Sequence, residues 1–250
     1  MVEQPADEKK TLSGRRGRKV STQAHRHREG LLRPTASPKR TSLLTVVAGL
    51  ILLTVGWALR HNPIDAPVVK ALNDAHLGVW GQVADFIYRA LEPPGAVATT
   101  ILITIVVAAV RRSIRIAIVF AGTVALTWLP TAAFKVILDR PRPSMSGFAH
   151  PFTPAQLDGS FPSGHTAYIA ALAITFWFLL RGTRWSVLAV TLGSLATITT
   201  GVAVVSDGLH YPTDASASVL WALAMAPTAR WAMATLTGRW FAQRERSLPS

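Results

Sequence analysis

The sequence has no cysteine. That excludes a disulfide framework, a Cys-ligated metal and a cysteine nucleophile, and it leaves the redox compartment unreadable. Acids are scarce: 13 Asp and Glu stand against 26 Lys and Arg, for a formal net charge of +13. There is no internal repeat, so a solenoid or propeller is not indicated. No small-residue cleavage site follows the first apolar run, and the basic stretch before it is too long for the start of a removed leader. The first run therefore reads as an uncleaved membrane anchor.

What is present is apolar length. Half of the residues are apolar, and they gather into runs near the 20 residues a helix needs to cross a bilayer. Six segments can be drawn, at about 42–59, 95–110, 114–138, 162–180, 185–205 and 212–236. Pro130 is expected to bend the third. Gly, Ser and Thr in the last two suit close helix packing. Between the first and second segments, residues 62–94 place apolar side chains at helical spacing: Val68 and Leu72, then Val79, Val83, Ile87 and Leu91. This predicts one or two amphipathic helices lying at the membrane interface. The expected fold is all-α: a polytopic six-helix membrane bundle over 42–238, flanked by a basic disordered tail at 1–41 and a short tail at 239–250.

Residues 1–41 carry eleven Lys and Arg against four acids, with no apolar period. Anionic lipid heads are the expected partner of that tail, and no nucleic acid partner is expected. With the amino terminus inside, 20 of the 26 Lys and Arg fall in inner segments, as the positive-inside rule requires. Trp57, Trp128, Trp185 and Trp240 fall near predicted helix ends, as an aromatic belt would. The expected location is the plasma membrane, multi-pass, with both termini cytoplasmic.

This parity places Lys135, Arg142, Ser163, His165, His210 and Asp214 on the same, outer, side. Ionisable groups at membrane depth are expensive, so such a gathering reads as a site. Lys135 and Arg142 supply fixed positive charge suited to a phosphate. Ser163 and Gly164 open a helix, where free N–H groups and the dipole favour an anion. His210 and Asp214 stand four apart. If a helix starts near Pro212, the carboxylate can hold one ring nitrogen and leave the other free to attack. His165 can then protonate the leaving oxygen and later activate water. This set describes covalent phosphoryl transfer through a phosphohistidine, with no metal and no other cofactor required.

At these residues the sequence resembles the type 2 phosphatidic acid phosphatase superfamily of membrane phosphatases. That family's signature reads Lys-x6-Arg-Pro, then Pro-Ser-Gly-His, then Ser-Arg-x5-His-x3-Asp. "KVILDRPRP" runs from Lys135 to Pro143 and "PSGH" from Pro162 to His165, both complete. In "AVVSDGLHYPTD", His210 and Asp214 match, but Ala203 and Val204 replace the Ser-Arg pair. The likeness covers about residues 65–225 in layout. It implies that Lys135, Arg142, Ser163 and Gly164 bind phosphate, that His165 is the general acid, and that His210 is the nucleophile oriented by Asp214. It also implies a six-helix bundle with an outer-face, metal-independent site hydrolysing a lipid phosphate or diphosphate.

Val204 removes the third positive phosphate ligand, a loss worth roughly 100-fold in rate or more. Arg140, two residues before Arg142, is the candidate substitute phosphate ligand. Asp207 adds an acid where a small or apolar residue is common. Three readings follow. The first is a lipid phosphatase, with a polyprenyl diphosphate such as undecaprenyl diphosphate ahead of phosphatidic acid or phosphatidylglycerol phosphate. The second is a phosphotransferase of the same mechanism. The third is a weakened relative that binds lipid phosphates.

Overall fold

A computed structural model describes residues 30–246. Among the described residues the regular structure is entirely helical. The nine longer helices are α1 (Pro38–His61), α2 (Ala66–Asp74), α3 (Gly78–Ala90), α4 (Pro93–Arg111), α5 (Ile114–Trp128), α6 (Pro130–Leu138), α7 (Gly164–Leu180), α8 (Ser186–Ser206) and α9 (Pro212–Arg246).

Four stretches are long and apolar enough to cross a membrane: α1, α4, α8 and the continuous run Ile114–Leu138 formed by α5 and α6. α7 is apolar but has 17 residues. α9 is long enough, at 35 residues, but is diluted by polar and charged residues along its length. It packs in the middle of the bundle, against α1, α5, α7 and α8. A helix surrounded by other helices does not need a uniformly apolar surface. The outer helices do: Leu43, Val46 and Leu50 on α1, Ile101, Leu102 and Ile105 on α4, and Leu188, Leu192 and Leu195 on α8 are all exposed. Such broad apolar faces have no place in water, and they make this a multi-pass membrane protein.

Polar groups inside the bundle are met locally. Thr123, Thr127 and Thr175 each donate to the carbonyl four residues back, which lets a hydroxyl sit among apolar neighbours. At Pro130, where a bend is expected, the helix is interrupted. α5 stops at Trp128 and α6 restarts at Pro130, whose ring nitrogen has no hydrogen to donate. At this break the Trp221 indole of α9 donates to Thr127 O at 2.8 Å.

Two local terminations aim the polar loops. Asp139, at φ 42°, ends α6 in the left-handed region, and its N–H returns to Lys135 O. The chain then crosses the end of the bundle as the loop 139–163. Gly208, at φ 71°, turns α8 toward α9, and a Cβ there would lie 2.5 Å from the Phe148 ring. Glycine is required at this turn both for its backbone and for its space.

Two boundaries differ from expectation. The amino-terminal tail does not extend to residue 41. Leu31 is buried, and the buried Arg230 donates to Leu31 O, Arg33 O and Thr35 Oγ1 at 3.0, 2.6 and 2.6 Å. Two backbone carbonyls and a hydroxyl before α1 accept from that guanidinium, and the segment packs for this reason. At the other end α9 continues through Arg246, so residues 239–246 are helix and not tail. The reading of residues 1–29 as a disordered tail lies outside the described residues. Residues 62–94 form two helices, α2 and α3, which pack against α8.

Candidate active site

The site is assembled from four stretches that meet at one end of the bundle. Lys135 comes from the last turn of α6. Arg142 stands three residues beyond the turn at Asp139. Gly164 and His165 open α7. His210 and Asp214 span the turn into α9. Lys135, Arg142, Gly164 and His165 line one cavity of about 540 Å³. Its other walls include Leu91, Pro93, Trp128, Leu129 and Ala132, so an apolar slot leads to a cationic end.

His210 lies beneath that end, fully buried. Its Nδ1 faces Asp214 Oδ2 at 3.4 Å. A carboxylate only accepts, so Nδ1 carries the proton. Nε2 keeps its lone pair and takes the Arg142 guanidinium at 3.4 Å. Burial first, then the Arg142 and Lys135 charges, push the His210 imidazole well below its ordinary range. A neutral ring with a free Nε2 is the state a nucleophile needs.

His165 is held from α3. Its Nε2 donates to Tyr88 O at 3.1 Å, and its ring stacks on the Tyr88 ring at 4.2 Å. The carbonyl fixes the proton on Nε2 and leaves Nδ1 as the basic atom. Burial pushes the Tyr88 hydroxyl up to about 12, so it stays neutral. Ser163 caps α7: its Oγ accepts from Thr166 N and Thr166 Oγ1 at 3.4 and 3.1 Å. Ser163 is buried, and Gly164 is the member of that pair that reaches the cavity.

Arg140 does not stand where a phosphate ligand would. It is 1% exposed and absent from the cavity wall. Its guanidinium pairs with Asp214 Oδ1 and with Asp65 Oδ1 at 3.2 Å, and it covers the Tyr211 ring at 4.0 Å. Asp65 also accepts from Thr213 N and Thr213 Oγ1 at 2.9 and 2.7 Å. A regular extended chain would put residues two apart on one side, but the chain is irregular between the turn at Asp139 and Pro143. Here Arg142 reaches the cavity while Arg140 pairs with the carboxylates behind it. Arg140 is a positioning residue for Asp214.

Asp158 was not anticipated. Its carboxylate bridges Lys135 Nζ and Arg142 Nη2, each at 2.6 Å. Burial alone would raise its pKa, but the Lys135 and Arg142 charges hold it well below the usual carboxylate range. An anion thus already occupies the two cations that suit a phosphate. The one signal in the sequence was an acid inside a loop otherwise bordered by cations. Asp65 and Thr213 carried no such signal, because their partner lies 75 and 73 residues away.

Val204 is fully buried with Tyr88, Phe152 and Leu209. The cations nearest this cluster are Arg89, over the Phe152 ring at 4.8 Å, and Arg142, which donates to Leu209 O at 2.8 Å. Asp207, also buried, is pushed up to about 8 by burial and then by the Asp85 charge.

The described residues thus form an all-helical membrane bundle in which His165, Lys135 and Arg142 line one cavity and the His210–Asp214 pair lies buried beneath it. The PAP2 superfamily model matches residues 115–238, about half of the chain, which hold all three motif stretches, and supports a PAP2 membrane protein. A solved structure described as the first transmembrane PAP2 type phosphatidylglycerolphosphate phosphatase, from Bacillus subtilis, shares the fold. The two superpose with a TM-score of 0.56 at 17% identity, covering 82% of this chain and 98% of that one. No curated protein matches the chain.

Proposed function

We propose that this protein is an integral membrane phosphatase that hydrolyses a lipid phosphate or polyprenyl diphosphate through a phosphohistidine. The observation that carries the reading is the His210 ring, with Nδ1 on Asp214 and Nε2 beside Arg142, beneath a cavity that joins an apolar slot to Lys135 and Arg142. The slot fits a lipid chain and the cations fit its phosphate. Substrate phosphate displaces the Asp158 carboxylate, because a dianion outcompetes a monoanion at two cations. Arg142 then moves its donors from Nε2 to phosphate oxygens.

In the first step His210 Nε2 attacks phosphorus. A P–N bond forms and the P–O bond to the lipid breaks. His165, which takes up a proton on Nδ1 when the phosphate anion binds beside it, gives that Nδ1 proton to the leaving oxygen while Nε2–H stays on Tyr88 O. In the second step His165 takes a proton from water, the hydroxyl oxygen attacks phosphorus, and the P–N bond breaks. The Asp214 carboxylate stabilises the charge that appears on the His210 ring, as the third member of a catalytic triad does. In this reading the basic inner loops set both termini in the cytoplasm and turn the site outward. α2 and α3 lie at the outer interface. An outward site suits recycling of a polyprenyl carrier, and a polyprenyl diphosphate heads the list of substrates.

The test is phosphate release from a panel of lipid phosphates by purified protein in detergent with EDTA. Labelled substrate quenched in base is expected to leave an acid-labile adduct on wild-type protein and none on His210→Ala. Release without an adduct refutes the phosphohistidine. Tight binding of a lipid phosphate without release favours the weakened relative, which the buried Val204 supports.

Asp158→Ala is expected to lower KM about tenfold with kcat changed less than twofold, since it removes the resident anion and touches neither histidine. Initial rates against substrate concentration check this. An unchanged KM would mean that phosphate binds without displacing Asp158.

A further inference from the structure

A second cluster of ionisable groups lies where the turn between α2 and α3 meets the end of α8. His76 is in that turn, Asp85 is on α3, and Asp207 directly follows α8. His76 Nε2 stands 3.1 Å from Asp207 Oδ1 and 3.4 Å from Asp85 Oδ1. One ligand atom from each residue lies within 4.8 Å of the others. Nε2 can hold only one proton, yet it faces two carboxylates. Asp207 is fully buried, and its Oδ2 has no hydrogen-bond partner. A buried carboxylate oxygen without a donor is costly. None of the three residues lines the phosphate cavity.

We propose that His76, Asp85 and Asp207 bind a divalent transition-metal ion. Ligand atoms about 2.0–2.2 Å from a tetrahedral zinc ion lie about 3.3 Å from each other, which matches the two separations from Nε2. One imidazole nitrogen with two carboxylates suits Zn²⁺ or Mn²⁺ better than Ca²⁺, which takes six or more oxygens. Asp85, whose side chain is 43% exposed, marks the entry side and the place for a completing water. The ion would join three segments and brace the turn that carries His210, three residues after Asp207. Asn73 already holds the neighbouring Ser206 O at 2.9 Å. The role is structural and separate from phosphoryl transfer, so it stands or falls apart from the proposed activity.

The experiment uses full-length, untagged protein in detergent, stripped with EDTA and re-equilibrated with Zn²⁺ or Mn²⁺ alone. His25→Ala/His27→Ala serves as the parent, because the tail offers two further imidazoles. Bound metal is counted by mass spectrometry and thermal unfolding is followed with and without the ion. One ion per chain is expected, with a rise in the unfolding midpoint. Affinity is expected to fall about tenfold or more in His76→Gln and in Asp85→Asn, the latter removing an exposed ligand and leaving the buried pair in place. No bound ion in the parent, or affinity in both variants equal to the parent's, overturns the proposal.

Discussion

Arg140→Gln is expected to lower kcat for lipid phosphate hydrolysis by about 100-fold or more while changing KM less than threefold. Arg140 sits between two buried carboxylates, those of Asp214 and Asp65, and contacts nothing in the cavity. Removing it leaves both acids without their cation. Breaking a buried pair from one side costs about 3–5 kcal/mol of stability. Part of that loss falls on catalysis, because Asp214 can then take a proton or turn away and no longer holds the His210 tautomer. Asp214→Asn tests the same chain one link nearer the chemistry, with an expected loss of about 10⁴-fold in kcat, as when a catalytic triad loses its carboxylate. Arg140→Lys is expected not to rescue, since an ammonium cannot reach two carboxylates with a planar fork. Initial rates and thermal unfolding in detergent check all three. If Arg140→Gln raised KM tenfold with kcat intact, Arg140 would be a phosphate ligand after all.

That contrast shows what the linear sequence can and cannot carry. The spacing of Lys135, Arg142, His165, His210 and Asp214 was legible because each lies at a helix end or in an adjoining turn, and helix parity alone brings those ends together. The helix break at Pro130, the cap at Ser163 and the start of α9 at Pro212 are local events with local causes, and the structure shows each of them. The place of Arg140 was not legible, because a pattern gives proximity in sequence and not the partners a side chain takes. Asp65 supplies the partner that turns Arg140 away, and nothing near residue 65 announces it. The two tail boundaries failed for a similar reason: the partner of residues 31–35 is Arg230, nearly two hundred residues later. The sixth apolar segment, drawn at about 212–236, falls within α9, and the place of that helix against four others is what makes its polar residues tolerable.

Val204→Arg, which would rewrite the third motif, is expected to destabilise the protein by about 3 kcal/mol or more and to give no gain in activity alone. Val204 is fully buried against Tyr88, Phe152 and Leu209. An arginine there overpacks an apolar cluster and buries a charge with no carboxylate in that cluster to meet it. Tyr88 belongs to the same buried cluster as Val204 and also lines the cavity beside His165, whereas Val204 does not line it. Tyr88→Ala removes the ring and keeps the backbone carbonyl that holds His165 Nε2. The pair Tyr88→Ala/Val204→Arg is therefore expected to recover most of the lost stability. It is also expected to raise kcat about tenfold over Tyr88→Ala alone, as a third cation reaches the transferring phosphoryl group. Rates and unfolding midpoints for the wild type, both single variants and the pair close the cycle and isolate the coupling between the two positions. A gain from Val204→Arg alone would mean that the Tyr88 cluster yields to the guanidinium. Additive losses in the pair would mean that position 204 no longer faces the phosphate, and that Lys135 and Arg142 carry its charge without a third cation.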